Sequence, residues 1–523
     1  MAFAHLHVHT TYSICDGVAR IGELFRRAKE LKQSGLAITD YGVLSGVPTF
    51  LSVAKEYPSI KPVIGCEIYL TDHYDHKIKD YGHRRLFHLT LLAKNLTGYR
   101  NLVKIVTESH LEGIYLDKPR VSHEILADNH EGLIALSGCI AGEIPQAILS
   151  NDLDKAEAAI RWYKEVFGDD FYLEVMSHDW SKPGKGHNLR EMQDKVNAAI
   201  FGLAEKYKID VVATNDVHFV MKEDAVLQDA VLAEYLSEGE QYTPLYTGEE
   251  YLKSEHEMLA LFPDHTEVVS NTMKVLDKVE RYSIECPPEV PDFPVPEGCS
   301  QDEFLRKLCE DALDHKGCNE AHRERLESEL KMVAETGFAN LFLILQDLVW
   351  TCQGNGKILI PGSRDMESSL VNYLLGIVES DPMKLELSER FLSNPAHKYP
   401  EIRFMVHKED LQFVVSYLRH KYGRQHMAET LRYIGPSWNE AAEIVEKFNL
   451  PLDRQYDLFK TRYSVQERAG SILLGKKQIS EYVPFSLFSS DNDMVSQYSC
   501  SNLLDISIGP VLFNFVATDY NVY

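Results

Sequence analysis

The sequence predicts an α/β protein whose first 285 residues close, or nearly close, into a barrel, and three observations predict it. Seven short β-rich runs alternate with amphipathic stretches over the first 220 residues. Residue types that bind metals fall at the ends of those runs. A proline-rich linker is then expected over 286–300, opening with CPPEVPDFPVP at 286–296, before a mixed α/β region over 301–523.

The first run is Phe3–His9. His5, His7 and His9 alternate with Leu6 and Val8, so in a strand three imidazoles share one face and the apolar pair the other. Three imidazoles followed by a polar turn carrying Asp16 are the ingredients of a metal centre at a strand end. A polar strand face without a metal is the competing reading of this stretch alone. The remaining strands are expected at Gly35–Asp40, Pro62–Leu70, His88–Ala93, Leu133–Ser137, Phe171–Val175 and Asp210–Asn215. Helices are expected between them at Ile21–Gln33, Leu96–Leu111, Leu153–Phe167 and His187–Lys208.

Such alternation implies parallel strands joined by helical crossovers. The reactive face of a parallel barrel is the one at the strand C-termini. His7 and His9 end the first strand, Asp40 ends the second, and Glu67 lies late in the third. Cys139 follows the fifth strand, and Asp216 and His218 follow the seventh in TNDVH. His88 alone opens its strand. Ligand types about two hundred positions apart would therefore meet at one mouth, which favours the metal reading over the polar face.

The composition narrows the function. A formal charge of −25 leaves no general basic surface for clamping duplex DNA non-specifically. No leader-like apolar segment follows Met1, and no apolar run of membrane-spanning length occurs. Nine cysteines without CxxC spacing suggest reduced thiols and a cytoplasmic protein with no membrane partner. Residues 222–285 read as helices with polar loops, and further helices are expected at Gln301–His315, Glu320–Glu335 and around Leu341–Val349. Beyond about 455 the pattern assigns no elements. The stretch TDHYDHKIKDYGH, with His73, His76 and His83, reads as a solvated loop, or as part of the barrel mouth.

Several stretches then carry a resemblance. HLHVHTTYSICDG (5–17), AITDYG (37–42), PVIGCEIYL (62–70), SHLEGIYLDKPR (109–120), GLIALSGCIAGEIP (132–145) and VVATNDVHF (211–219) resemble the polymerase-and-histidinol-phosphatase (PHP) domain of bacterial DNA polymerase III alpha subunits. YLKSEHEM (251–258), FPVPEG (293–298), LVNYLLGI (370–377) and EYVPF (481–485) keep that family's order. The resemblance stops where the family's later domains would begin. It implies a distorted seven-stranded barrel with up to three ions, Zn²⁺ or Mn²⁺, at its mouth. His7, His9, Glu67 and Asp216 would hold one ion, and Glu67, His88 and Cys139 a second. Asp16, His218 and Tyr41 would hold a third, which is expected to be weak. The family has histidine at position 41, and a phenol with a reference pKa near 10 is a poor ligand. Glu67 and Asp216 would carry the catalysis, a phosphoesterase action on 3′ ends of single-stranded DNA.

The resemblance also exposes departures in the second region, where a polymerase palm-like fold is implied. The family's glycine-rich phosphate loop is replaced by IPGSRDMESS (360–369). Its metal-holding aspartates are replaced by Glu401, Arg403 and Met405 in PEIRFMV and by Leu512. An arginine among such ligands would repel cations, so no polymerase activity is expected. The alternative to an esterase is a non-catalytic polymerase paralogue that serves as a scaffold for replication or repair proteins.

Overall fold

A computed structural model describes residues 3–14, 16–72, 75–80, 84–178, 187–234, 247–393, 399–461, 464–487, 494–499, 503 and 506–518. The chain divides into two compact units. One comprises Met1–Ile284, Tyr433–Gln466 and Pro484–Asp493; the other comprises Glu285–Arg432, Glu467–Val483 and Met494–Tyr523. The expected cut after 285 is thus too simple, because the chain returns twice to the first unit. The expected linker also begins as structure. Cys286–Glu289 is a strand that pairs parallel with Ile508–Thr518 in the second unit. Pro287 and Pro288 have no N–H to give, which an edge strand tolerates, and Cys286 N–H bonds Ser507 O at 2.9 Å.

The first unit is built on a mixed sheet. Its strands are β1 (Gly35–Ile38), β2 (Lys61–Thr71), β3 (Leu86–Ala93), β4 (Ile114–Tyr115), β5 (Lys118–Val121), β6 (Leu133–Leu136), β7 (Phe171–Val175) and β8 (Val211–Ala213). They are ordered β4-β5-β2-β3-β6-β7-β8, with β1 pairing β2. Pairing is parallel for β1–β2, β2–β5, β6–β7 and β7–β8. The expectation of an all-parallel sheet fails at β3, which runs antiparallel to both β2 and β6. No helix lies among the described residues between β2 and β3, so no crossover turns the chain round and β3 simply returns. The start of β3 therefore lies level with the ends of its parallel neighbours.

Among the described residues the sheet is not closed, and in this the expected barrel is not seen. The expected first strand is instead an extended segment with two isolated bridges, His5 to Leu36 and Val8 to Val217. Ala37 N–H donates to His5 O and Thr39 N–H to Val8 O, while His9 N–H donates to Val217 O at 2.7 Å. The amide of Val8 goes to the Thr39 hydroxyl rather than to a strand. A segment that changes partner every few residues cannot propagate a ladder.

The alternation expected of this segment does decide the core. Leu6 packs with Ala37, Val63, Leu92, Ile134, Leu136, Tyr172 and Val212, contributed by β1, β2, β3, β6, β7 and β8, under Val275, Leu276 and Val279. Two helices that flank the sheet start at side-chain caps. Asn95 accepts from Gly98 N for Leu96–Leu111, and Asp152 accepts from Lys155 N for Leu153–Phe167.

The segment after β2 is tied down by Arg120, a wholly buried guanidinium. It donates to the carbonyls of Gly113, His76 and Ile78 at 3.0, 2.9 and 2.8 Å. His76 is consequently buried, with Nε2 3.3 Å from Glu108, so the solvated-loop expectation is wrong there. His73 and His83 lie outside the described residues.

In the second unit the strand Ile402–His407 pairs antiparallel with Leu359–Pro361 and parallel with Ile508–Thr518, which pairs antiparallel with Ser464–Leu474. Helices Gln301–His315, Glu320–Thr336 and Ala339–Gly354 lie between Cys286–Glu289 and the other strands, the first two opened by capping boxes at Ser300 and Asn319. Ala339–Gly354 is apolar almost all round because its Leu341–Leu345 turn is buried. No single described helix is long and apolar enough to cross a membrane.

Replacing Arg120 by Met should orphan three buried carbonyls. At roughly 1–3 kcal/mol per unsatisfied group, the loss should be about 3 kcal/mol or more in a urea titration of the whole chain. A loss under about 1 kcal/mol would mean that the carbonyls find other donors.

Candidate metal centre

The residues that meet at the ends of the sheet come from five places in the chain. The N-terminal segment supplies His7 and His9, β2 supplies Glu67, and the reversed β3 supplies His88 at its mouth end. Cys139 lies just past β6, and Asp216 and His218 just past β8. The antiparallel course of β3 explains why His88 opens its strand while the other ligand types close theirs. Asp216 sits at φ +46°, a left-handed conformation that aspartate tolerates better than most residues.

His7, His9, Glu67 and Asp216 are all buried, and each offers a ligand atom within 4.8 Å of the others. Glu67, His88 and Cys139 form a second such group. Glu67 belongs to both through different oxygens. Its Oε2 lies 3.0 Å from His7 Nε2 and 2.9 Å from His9 Nε2. Its Oε1 lies 2.9 Å from His88 Nδ1 and 3.7 Å from Cys139 Sγ. Among the described residues no other histidine, cysteine and carboxylate groups gather in this way.

Asp16, Tyr41 and His218 also come together beside these groups. His218 Nε2 is 3.7 Å from Asp16 Oδ2 and 3.3 Å from the Tyr41 hydroxyl. The Tyr41 ring stacks on His9 at 4.0 Å. His5 does not join any of the three sets. Its Nε2 donates to Lys253 O at 2.8 Å, and burial pushes its pKa down to about 4. The histidine triplet therefore splits, with one ring used to fix the chain and two used at the centre.

The electrostatics suit cations. Burial opposes a charge on His7, but Glu67, Glu174 and Asp216 outweigh it and hold its pKa well above the usual imidazole value. Burial would raise Glu67, yet His7 and His88 hold it well below the usual carboxylate range. His218 is likewise raised to about 9, burial being overcome by Asp16 and Asp216. Burial, with Glu67 and Asp216 nearby, pushes the Cys139 thiol up, so a thiolate there requires a neighbouring cation. The buried His9 Nε2 and Asp216 Oδ1 have no hydrogen-bond partner, although they lie only 3.3 Å apart. Two orphaned donor atoms of the kind that bind divalent ions, facing a shared carboxylate, fit a metal.

Two supporting residues, Glu174 and Ser13, escaped the sequence reading, and Asp40 has a different role from the one expected. Glu174 receives His7 Nδ1 at 2.7 Å. Ser13 Oγ meets His9 Nδ1 at 2.9 Å and donates to Asp40 at 2.7 Å. Asp40, expected at the mouth as a ligand type, spends its other bonds on the Thr10 amide and hydroxyl and holds the turn after His9. The available signal for Glu174 was a lone acid inside the strand FYLEV.

The second unit is different in kind. Arg403 Nη2 forms an ion pair with Glu401 Oε1 at 2.6 Å, Met405 is partly exposed, and Leu512 is buried. The stretch 360–369, expected in place of a phosphate loop, contains a short helix, Arg364–Glu367, capped by Ser363. Met366 is buried within it, and its sulfur accepts from the Arg403 amide at 3.4 Å.

Residues 5–178 match the PHP domain, and residues 303–467 match the bacterial DNA polymerase III alpha NTPase domain. The chain is 35% identical over 443 residues to the DNA polymerase III subunit alpha of Borreliella burgdorferi, covering 82% of this chain and 37% of that protein. It is 32% identical over 536 residues to the corresponding subunit of Thermus aquaticus, covering 88% of this chain and 42% of that one. The chain therefore spans about two fifths of the length of these curated relatives. A crystal structure of a protein described as a metal-dependent phosphoesterase from Bifidobacterium adolescentis matches at 16% identity and a TM-score of 0.27, covering 50% of this chain and 96% of that one. A likeness that low carries no structural argument.

Loss of Glu67 should empty both groups at once. Glu67→Ala should bring bound transition metal from about two ions per chain to near zero by elemental analysis, whereas His88→Ala should keep about one. Tyr41→His should add a third. Three tightly held ions in the unaltered chain would contradict the weak-phenol argument.

Proposed function

The chain is a homologue of the bacterial DNA polymerase III alpha subunit and carries that family's PHP and NTPase domains, and on this premise we propose that its first unit is a metal-dependent phosphoesterase. The observation that carries the proposal is the division of Glu67 between two ligand groups, one per carboxylate oxygen. His7, His9, Glu67 and Asp216 would hold one ion, Glu67, His88 and Cys139 a second, and Asp16, Tyr41 and His218 a weaker third. Bound Zn²⁺ or Mn²⁺ would supply an activated water and positive charge for the phosphate oxygens. Glu67 and Asp216 do the chain's own share, fixing the two positions and offsetting their charge within a buried site.

The favoured substrate is the 3′ end of single-stranded DNA, cleaved as by an exonuclease. A cavity of about 540 Å³ at the centre supports an ester larger than inorganic phosphate. Tyr12, Tyr41 and Tyr69 line it beside Asp16, His88 and Lys118, giving planar faces for a base and one cation for a phosphate. Replication or repair proteins are the proposed partners, in the cytoplasm.

The second unit, in this reading, does not make DNA. The ion pair Glu401–Arg403 and the buried Met366 support this, because two-metal transfer needs several free carboxylates and an open phosphate loop. A second reading, a scaffold without catalysis, draws on the same unit. Glu329 there accepts from the Ser369 hydroxyl and the Leu370 and Val371 amides, knitting the altered loop into the core.

The metal-loaded chain should shorten a 3′-labelled single strand, chelator should stop it, and Glu67→Ala should slow it by at least about 100-fold. If neither that strand nor a small aryl phosphate is hydrolysed, the scaffold becomes the better account. Primer extension should be undetectable. Aspartates restored at 401, 403 and 405 should not rescue it, because Met366 would still occupy the loop. Synthesis by chain freed of contaminating polymerases would refute the inactive reading.

A further inference from the structure

Glu174 is 2% exposed and sits in the middle of β7, yet its two oxygens serve different parts of the centre. Oε1 meets His7 Nδ1 at 2.7 Å and receives the Thr214 hydroxyl at 2.5 Å. Oε2 receives the amide of Gly138 at 3.0 Å. Gly138 adopts φ +83° and immediately precedes Cys139. Its own neighbour is also secured, since Glu174 N–H donates to Ser137 Oγ at 2.8 Å.

A carboxylate only accepts, so Glu174 obliges Nδ1 of His7 to carry the hydrogen and leaves Nε2 as the ring's ligand atom. That Nε2 is the atom facing Glu67 and Asp216. The other oxygen holds the left-handed turn that presents Cys139 to the opposite side of Glu67. One buried side chain therefore braces a ligand of each group, although it touches neither proposed ion position.

We propose that Glu174 is a positioning residue shared by the two metal groups, setting the tautomer of His7 through one oxygen and the Cys139 turn through the other. This rests on the reading of the first unit as a metal centre, but not on what that centre hydrolyses. The same logic predicts that glutamine is a poor substitute. An amide can accept on one end only, so its NH₂ must confront either the His7 N–H or the Gly138 N–H.

The test is cobalt binding to the full chain, followed by total affinity and by the thiolate-to-cobalt absorption that reports Cys139. Glu174→Gln should weaken cobalt binding at both groups by about 10–100-fold and diminish the thiolate band in parallel. His9→Ala should weaken the first group and leave the thiolate band largely in place. Glu174→Asp, which keeps two acceptors on a shorter arm, should recover part of both signals, and it serves if the glutamine variant does not fold. A residue that only stabilises the fold would lower the unfolding midpoint while each folded molecule bound cobalt normally. Wild-type affinity and a full thiolate band in folded Glu174→Gln would overturn the proposal. A chain that loads cobalt as expected but hydrolyses no ester would remove the phosphoesterase reading and leave Glu174 in its role.

Discussion

A single buried carboxylate governs the first unit. Glu67 is fully inaccessible, and an isolated charge there would be costly, so its surroundings are organised to compensate it. Imidazoles approach it from both sides, and the backbone around it is fixed from two directions. Its N–H reaches the carbonyls of Thr39 and Asp40, its C=O receives Gly42 N–H, and it stands opposite Thr90 of β3. Glu67, Glu174 and Asp216 together hold the His7 pKa well above the usual imidazole value, which offsets their charge. With divalent ions the protons would leave and the same negative field would bind metal, so metal affinity and proton release are linked.

The reversal of β3 is the structural cause that makes a second group possible. A parallel β3 would bring its C-terminal end, Ala93, to the mouth and place His88 at the far edge. Running antiparallel, it brings His88 within 2.9 Å of Glu67 and pairs that residue's bridge with Gly142, next to the turn that holds Cys139. Glycines serve this turn directly. A Cβ on Gly138 would lie 2.4 Å from the His88 carbonyl, so the close approach of β3 to the cysteine turn depends on its absence.

The second unit separates an apolar face from a polar one within a single strand. Along Ile402–His407 the residues alternate strictly, with Ile402, Phe404 and Val406 buried and Arg403 and Met405 on the other face. Arg403 lies opposite Asn514 and Met405 opposite Val516 on the neighbouring strand, a face without a carboxylate cluster among the described residues. The buried positions remain apolar. Successive residues of one strand face opposite ways, so the polar face can vary while the apolar face keeps its packing.

The sequence by itself determined the alternation of Leu6 and Val8 with the histidines, the candidate donors from His7 to His218, the helices opening at Leu96 and Leu153, and the alternation of Arg403 and Met405 with apolar residues. These are consequences of residue chemistry and short-range periodicity, which are local. Tertiary structure alone decided that the N-terminal segment bridges two neighbours without closing a ladder, that β3 runs backwards, and that residues 433–466 return to the first unit. It also separated residues that look alike in sequence. His5 and His7 have the same spacing and face, but one meets the Lys253 carbonyl and the other meets Glu67. Asp40 and Glu67 are both acids in or just past adjacent strands, yet one fastens a turn and the other joins two ligand groups. Glu174 acts on His7 and Gly138 across separations of 167 and 36 positions. No local pattern encodes such a pairing, because the direction of a buried oxygen is set by whichever donors the fold brings to it.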